Sequence, residues 1–158
     1  MKIKYLLLLL VFSFSSIVSS AQYNKGSEYK TALGMKFYPG AVSFKQSLNN
    51  TKCLEVNAYF WKGIRVTGLY ELHFEIGGVK GLRWYVGPGA HITLYGKDIN
   101  EIYAGKNYFG IDGVLGLDYK IPGAPLNLSL DWQPSIEFGS EVGFVGGYGG
   151  LSVRYTLL

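Results

Sequence analysis

Hydrophobic and polar residues alternate with a period of two along most of the chain. The clearest stretch is Leu126 to Phe138, where Leu, Trp, Ile and Phe alternate with Asn, Ser, Asp, Gln and Glu. Similar alternation runs over Ile64 to Ile76, Phe109 to Ile121 and Leu151 to Leu157. This period predicts β-strands, because successive side chains of a strand point to opposite faces of the sheet. No stretch repeats apolar residues with the period of a helix, so the sequence predicts an all-β protein.

Four weaker strands complete the pattern. They are predicted near 30–38, 41–48, 53–61 and 83–95. Turn-forming dipeptides such as Pro39-Gly40, Asn49-Asn50 and Gly77-Gly78 separate the strands. An even number of antiparallel strands can close into a barrel that has no open edge. The sequence therefore predicts an up-and-down barrel of eight antiparallel strands.

Three features interrupt the predicted strands. Pro88 and Pro134 cannot donate a hydrogen bond to a strand ladder, so we expect them at bulges or at the rim of the barrel. The glycine-rich segment from Gly146 to Gly150 is not followed by the Lys-Ser/Thr pair of a phosphate-binding loop. We expect this segment to form a flexible turn and the start of the last strand.

The apolar rows face either the interior or the surroundings of such a barrel. A soluble barrel has its apolar rows inside, whereas a barrel in a bilayer turns them toward lipid. The strand over 126–138 exceeds the about 9–11 residues that a tilted strand needs to cross a bilayer. The polar rows carry nearly balanced charges and many Gly and Ser residues, which suit the narrow interior of eight strands. These features favour a transmembrane barrel with its apolar rows outside and its polar interior filled by side chains.

Charged residues of the polar rows would then be buried, and buried charges are tolerated when they are paired. We predict an ion-pair network in the interior that contains Lys36, Glu55, Glu71, Asp112, Asp118, Asp131, Glu137 and Arg154. Strands six to eight form consecutive hairpins, so Arg154 is expected to pair with the carboxylates of its neighbouring strands. The predicted role of the network is structural. No catalytic, cofactor-binding or metal-binding residue is assigned.

The first 21 residues have the pattern of a secretory signal peptide. A positively charged start precedes an apolar run from Tyr5 to Phe14, and small residues lead up to Ala21. The run is shorter than the ~20 residues of a spanning helix, so we predict cleavage after Ala21 rather than a membrane anchor. This divides the chain into a signal peptide over 1–21 and a barrel domain over 22–158.

Composition and charge exclude several classes of function. Only 16% of the 158 residues are charged, and Cys53 is the single cysteine. One cysteine excludes an internal disulfide framework and a cysteine-rich zinc site. The formal net charge of +4 includes the two lysines of the predicted signal peptide, and no cluster of basic residues indicates a nucleic-acid partner.

The two histidines are the main candidates for chemistry. His91 and Thr93 share a strand face, and a His-x-Ser pair on a strand is used by the barrel enzyme lipid A deacylase. On an inward polar face this pair would be out of reach of lipid, and no orienting carboxylate can be assigned, so packing is favoured over catalysis. His73 lies between Glu71 and Glu75 on one face. Such neighbours are nearly 7 Å apart, so a shared metal ion would need a ligand from another strand, and ion pairing is favoured.

Four segments carry a resemblance to a known family. They are Phe109–Lys120, Pro122–Pro134, Gly87–His91 and Leu151–Tyr155. Together they resemble the small eight-stranded outer-membrane β-barrel proteins of Bacteroidota-type bacteria. The resemblance implies an integral barrel in the outer membrane of a Gram-negative bacterium, without an assigned activity. Its implied partners are outer-membrane lipid and, during insertion, the barrel assembly machinery.

We therefore expect a barrel without enzymatic activity whose two termini lie in the periplasm, because eight strands return the chain to its starting side. The longer connections, over 97–106 and 139–147, would then face outward, toward an extracellular ligand that the sequence does not identify. The alternative is a secreted or periplasmic soluble barrel that holds a small apolar ligand, with Leu128 and Leu130 inside. A lipid-modifying membrane enzyme is a third, weaker hypothesis.

Overall fold

The computed structural model describes residues 29–60, 63–95, 107–139 and 143–157. The strands are β1 (Thr31–Lys36), β2 (Ala41–Ser47), β3 (Lys52–Tyr59), β4 (Ile64–Glu75), β5 (Leu82–Leu94), β6 (Asn107–Lys120), β7 (Leu126–Phe138) and β8 (Gly143–Leu157). None of the described residues belongs to a helix long and apolar enough to cross a membrane. The predicted signal peptide, residues 22–28 of the predicted barrel domain and the connection over 97–106 lie outside the described residues.

The eight strands pair in chain order and close into a barrel. Each strand is antiparallel to the next, and β1 closes the sheet against β8, where Gly34 lies opposite Arg154. The predicted all-β fold with eight antiparallel up-and-down strands is therefore confirmed. Closure gives every described strand a neighbour on both sides, and β8 extends past the end of β1 over residues 143–150.

The last strand differs from its prediction. β8 begins at Gly143 rather than at Leu151, so the glycine-rich segment is part of the strand and not a turn before it. Phe144 lies opposite Ile136 and continues the ladder with β7. Gly149 and Gly150 have φ values of 129° and 118°, a backbone conformation that side chains with a Cβ atom disfavour. The glycines thus let a distorted strand keep its pairing.

The two strand prolines have different surroundings. Pro134 lies at a bulge, as predicted, because the register between β7 and β8 shifts between Gln133 and Ser135. Pro88 lies in the middle of β5 opposite Gly113, so its predicted place at a bulge or rim is wrong. The ladder between β5 and β6 continues through Pro88, whereas paired positions are missing beside it on the β4 side. The absence of an N–H donor at Pro88 therefore interrupts the ladder between β4 and β5 without changing the register of these strands.

The two faces of the sheet differ in polarity. Apolar side chains cover the outside, where Leu130 is 57% and Phe109 is 62% exposed. Polar and charged side chains fill the inside, and Lys45 and Arg154 are completely buried there. The apolar cluster of the interior consists of Leu69, Tyr85 and Val114. The period-two alternation of the sequence has thus become an apolar outer surface and a charged interior.

Candidate functional site

The charged interior is the candidate site, and all eight residues predicted for the network face it. Seven of them are buried, and Glu137 is partly exposed near one end. Three groups of contacts can be distinguished along the barrel: one at the middle and one toward each end.

Arg154 and Glu55 form a fully buried ion pair at the middle of the interior. The Nη2 atom of Arg154 is 2.6 Å from Oε1 of Glu55, and both side chains are fully buried. The other two nitrogens of the guanidinium also donate: Nε donates to Ser43, while Nη1 donates to Ser129 and Asn127. The β8 arginine is thereby bound to groups on β2, β3 and β7.

The expected pairing of Arg154 with the carboxylates of β6 and β7 is wrong. Asp131 binds Lys36 of β1 at 2.8 Å, and Asp118 binds Lys45 of β2 at 3.2 Å. In β8 the position opposite Asp131 is a glycine, which offers no cation. Long side chains from different walls meet across the narrow interior instead, and hairpin neighbours alone do not reveal these contacts.

Lys45 is the cation with the most anionic neighbours. Its Nζ atom lies 2.8 Å from Glu71, 3.2 Å from Asp118 and 3.5 Å from Glu55. The same ammonium lies 4.4 Å from the centre of the Tyr85 ring. Because three carboxylates surround one ammonium, Lys45 compensates charge on β3, β4 and β6 together.

One end of the interior, near the β2–β3 turn, combines a thiol, a carboxylate and an imidazole. Cys53 is directly opposite Glu71 in the register of β3 and β4. His73 Nε2 is 2.8 Å from Glu71 Oε2, and its ring stacks on Tyr85 with centroids 4.9 Å apart. Glu75 is exposed at the end of β4 and does not join this group. A metal ion shared by Glu71 and His73 would need a further ligand from another strand, and Cys53 occupies such a position on β3.

The opposite end contains Arg65 and His91 around shared carboxylates. Arg65 is 2.6 Å from Asp112 and 2.8 Å from Glu137, and its guanidinium lies over the Tyr148 ring at 3.8 Å. His91 Nδ1 is 2.7 Å from Asp112, which is the orienting carboxylate that the sequence could not assign. A histidine–carboxylate contact thus exists at this end.

A nucleophile coupled to that arrangement is not found among the described residues. Thr93 is buried on the same face as His91, but its Oγ1 atom makes no hydrogen bond to any described group. A catalytic triad needs the nucleophile within hydrogen-bond reach of its base. The His91–Thr93 pair therefore lacks the contact that acyl-transfer chemistry requires.

Four further participants were not included in the predicted network. Three of them are the cations Lys45, Arg65 and Arg83, and Arg83 lies 3.3 Å from Asp118. The sequence could have indicated Arg83, because it lies on the same face of β5 as His91 and Thr93. Tyr29 donates to Asp118 from just before β1. Burial, together with the Asp118 carboxylate, raises the pKa of the Tyr29 hydroxyl, which therefore keeps its proton.

Comparison with known protein families, with curated proteins and with solved structures finds no match for this chain. The charges of the interior are held in mutual contacts that join non-adjacent strands.

Proposed function

We propose that this chain is an integral outer-membrane β-barrel protein with a structural or surface-interaction role, not an enzyme. The supporting observation is the polarity of the barrel, with apolar side chains outside and ion pairs inside. Contiguous apolar surface in water is unfavourable by about 25 cal/mol per Å² and leads to association, whereas in a bilayer the same surface is solvated by lipid tails. A closed sheet also satisfies the backbone hydrogen bonds, as a hydrocarbon environment requires.

Aromatic pairs at both ends of the outer surface support this proposal. Phe109 and Phe138 stack with centroids 5.8 Å apart, and Phe74 and Trp84 stack at 4.5 Å near the opposite end. Trp84 of β5 is paired with Leu117 of β6, and Leu117 is eight residues along β6 from Phe109. This separation is about 27 Å along the strand and about 20 Å along a barrel axis at the usual tilt. Outer-membrane barrels carry two aromatic girdles on either side of an apolar band of about 25 Å.

The interior is proposed to be closed and structural rather than a pore. Eight strands leave a space just wide enough for side chains. Here that space contains large buried groups such as Arg65, Arg154 and Tyr85. Ion pairs between opposite walls occupy the volume that a water-filled channel would need.

Both chain termini are proposed to face the periplasm, at the end where β1 begins and β8 ends. The β1–β2, β3–β4, β5–β6 and β7–β8 connections would then face outward. The strands β5 to β8 have 13–15 residues against six to eight in β1 to β3, and β8 continues past the end of β1 at this outer end. Any surface contact is proposed for the connection over 97–106 and for the β7–β8 connection together with the outer end of β8, over 139–147.

The soluble alternative does not agree with the distribution of side chains. It requires an apolar pocket in the interior, lined by Leu128 and Leu130. Leu130 instead lies on the outer surface, and the inner wall formed by the described residues is mostly polar. An apolar ligand would have to displace buried ion pairs to enter.

Membrane fractionation combined with gel mobility tests the proposal. We expect the protein in the outer-membrane pellet, resistant to carbonate extraction, with different mobility before and after boiling in detergent. A folded closed barrel resists detergent until it is heated, which explains the shift. A soluble periplasmic or secreted protein with a single band would overturn the proposal.

Labelling of introduced cysteines in whole cells tests the orientation. In a Cys53→Ala background, Asn100→Cys is expected to react with a membrane-impermeant maleimide, because the proposed orientation puts the β5–β6 connection outside the cell. Ala124→Cys, in the turn between β6 and β7, serves as the matched control and is expected to react only after the outer membrane is permeabilised. Reaction at Ala124→Cys alone would reverse the proposed orientation.

A further inference from the structure

Three buried side chains near the β2–β3 turn have the composition of a metal site. Cys53, Glu71 and His73 each offer a ligand atom, and these atoms all lie within 4.8 Å of one another. Cys53 and Glu71 face each other across the β3–β4 ladder, and His73 follows two residues later on the same face. The strands therefore fix the relative positions of the three side chains.

Two polar atoms of this group have no hydrogen-bond partner among the described residues. They are Oε1 of Glu71 and Nδ1 of His73, both on fully buried side chains. The Cys53 thiol is buried and is not in a disulfide. Buried polar atoms without partners are unfavourable, and a bound ligand is one established reason for their presence.

The other contacts of Glu71 and His73 resemble those that hold metal-binding side chains in position. Glu71 Oε2 lies 2.8 Å from His73 Nε2 and 2.8 Å from the Lys45 ammonium. The hydrogen bond between His73 Nε2 and Glu71 Oε2 has to open on binding, because a histidine that keeps it directs Nδ1 away from this carboxylate. Nε2 then offers its lone pair to the metal beside Glu71 Oε1, while the Lys45 ammonium holds Oε2 as an outer-shell partner. Stacking on Tyr85 further restricts the imidazole ring.

We propose that Cys53, Glu71 and His73 bind a zinc ion in the barrel interior. Thiolate, imidazole and carboxylate are the ligands that zinc takes, and three protein ligands leave a fourth position for water. Ligand atoms around tetrahedral zinc are about 3.3–3.8 Å apart, so the side chains need to move by about an ångström. Binding releases the thiol proton to solvent, and the thiolate and Glu71 balance the charge of the ion. The proposal is independent of the membrane location.

The role inferred for this ion is structural. It would join β3 to β4 at the end of the barrel where the interior also contains Lys45 and Arg83. When Glu71 binds the ion, Lys45 keeps its contacts with Asp118 and Glu55, and Arg83 keeps its contact with Asp118. The Cys53 thiolate and Glu71 are therefore assigned to the ion, and the remaining carboxylates to the two side-chain cations.

Metal titration of the full chain, purified in detergent and treated with a chelator, tests the proposal. Zinc is expected to bind with a stoichiometry of one. Cobalt, used as a spectroscopic probe, is expected to give the near-ultraviolet thiolate-to-metal absorption that reports ligation by Cys53. This second measurement needs no variant, so it remains decisive if a substitution prevents folding.

Three variants locate the site. Cys53→Ser and His73→Gln are expected to weaken zinc binding by about 100-fold or more, since even second-shell changes cost about 10–100-fold. His91→Gln removes the other histidine, at the opposite end of the interior, and is the matched control with unchanged binding. Absence of zinc binding by the wild-type protein, absence of the cobalt–thiolate band, or binding that survives Cys53→Ser would overturn the proposal.

Discussion

Arg154 on β8 and Glu55 on β3 meet inside the barrel, with Nη2 and Oε1 2.6 Å apart and both side chains fully buried. The two strands are separated by β1 and β2, so this pair joins parts of the wall that share no backbone hydrogen bonds. Charges removed from water lose much solvation energy, and only well-formed partners compensate for it. The pair therefore couples the closure of the barrel to the correct pairing of its interior.

Removing the Arg154 guanidinium is expected to destabilise the barrel strongly. Arg154→Leu leaves the Glu55 carboxylate with less compensation and three neutral acceptors without their donor. Breaking one partner of a buried pair costs about 3–5 kcal/mol. Urea unfolding in detergent micelles, followed by tryptophan fluorescence, measures the loss. The exposed Lys52→Leu is the control and should change stability little, and an unchanged midpoint for Arg154→Leu would contradict the inferred role.

A charge-matched double variant tests the pair between Lys36 and Asp131. Lys36→Met is expected to destabilise the barrel by less than Arg154→Leu, because Asp131 also accepts hydrogen bonds from Tyr85 and Gln133. Adding Asp131→Asn should recover part of the loss, since it removes the carboxylate charge that Lys36→Met leaves behind. The same unfolding assay gives the coupling from the two single variants and the double variant. Strictly additive effects would show that the two side chains do not interact.

The apolar outer surface leads to a prediction that separates a membrane barrel from a soluble one. Leu115 is 51% exposed near the middle of β6, and Leu115→Arg is expected to cost about 2–4 kcal/mol in a bilayer. Leu157→Arg, at the end of β8, is the control and is expected to cost about 0–1 kcal/mol near the interface. Unfolding in lipid vesicles measures both. Equal, near-zero effects at the two positions would indicate that the outer surface is not surrounded by lipid.

The strand pattern and the faces could be predicted because they follow from local alternation. The predicted strand over 126–138 has the same limits as β7, and the residues assigned to its polar row face the interior. A strand places alternate side chains on opposite faces whatever its neighbours are. The start of β8 was missed because glycine signals a turn locally, whereas here Gly149 and Gly150 maintain a distorted pairing with β7.

Contacts across the interior could not be predicted in the same way. Arg154 and Glu55 are 99 positions apart, and their contact depends on how the strands tilt and shift when the barrel closes. The sequence alone does not show that Cys53 lies beside Glu71, because this contact depends on the register between β3 and β4. Local sequence therefore identifies the groups that lie inside, while barrel geometry decides which of them touch.

Small residues on the inner face allow the strands to approach one another, and Gly87 tests this. A methyl group added at Gly87 would overlap the backbone carbonyl oxygen of Tyr70 on β4. Overpacking of this kind costs about 1–3 kcal/mol, so Gly87→Ala is expected to lower stability by that amount. Gly68→Ala is the matched control, because a methyl group there meets no atom within 4 Å. Thermal unfolding in detergent should separate the two variants, and equal melting temperatures would mean that the wall near Gly87 can move apart without loss.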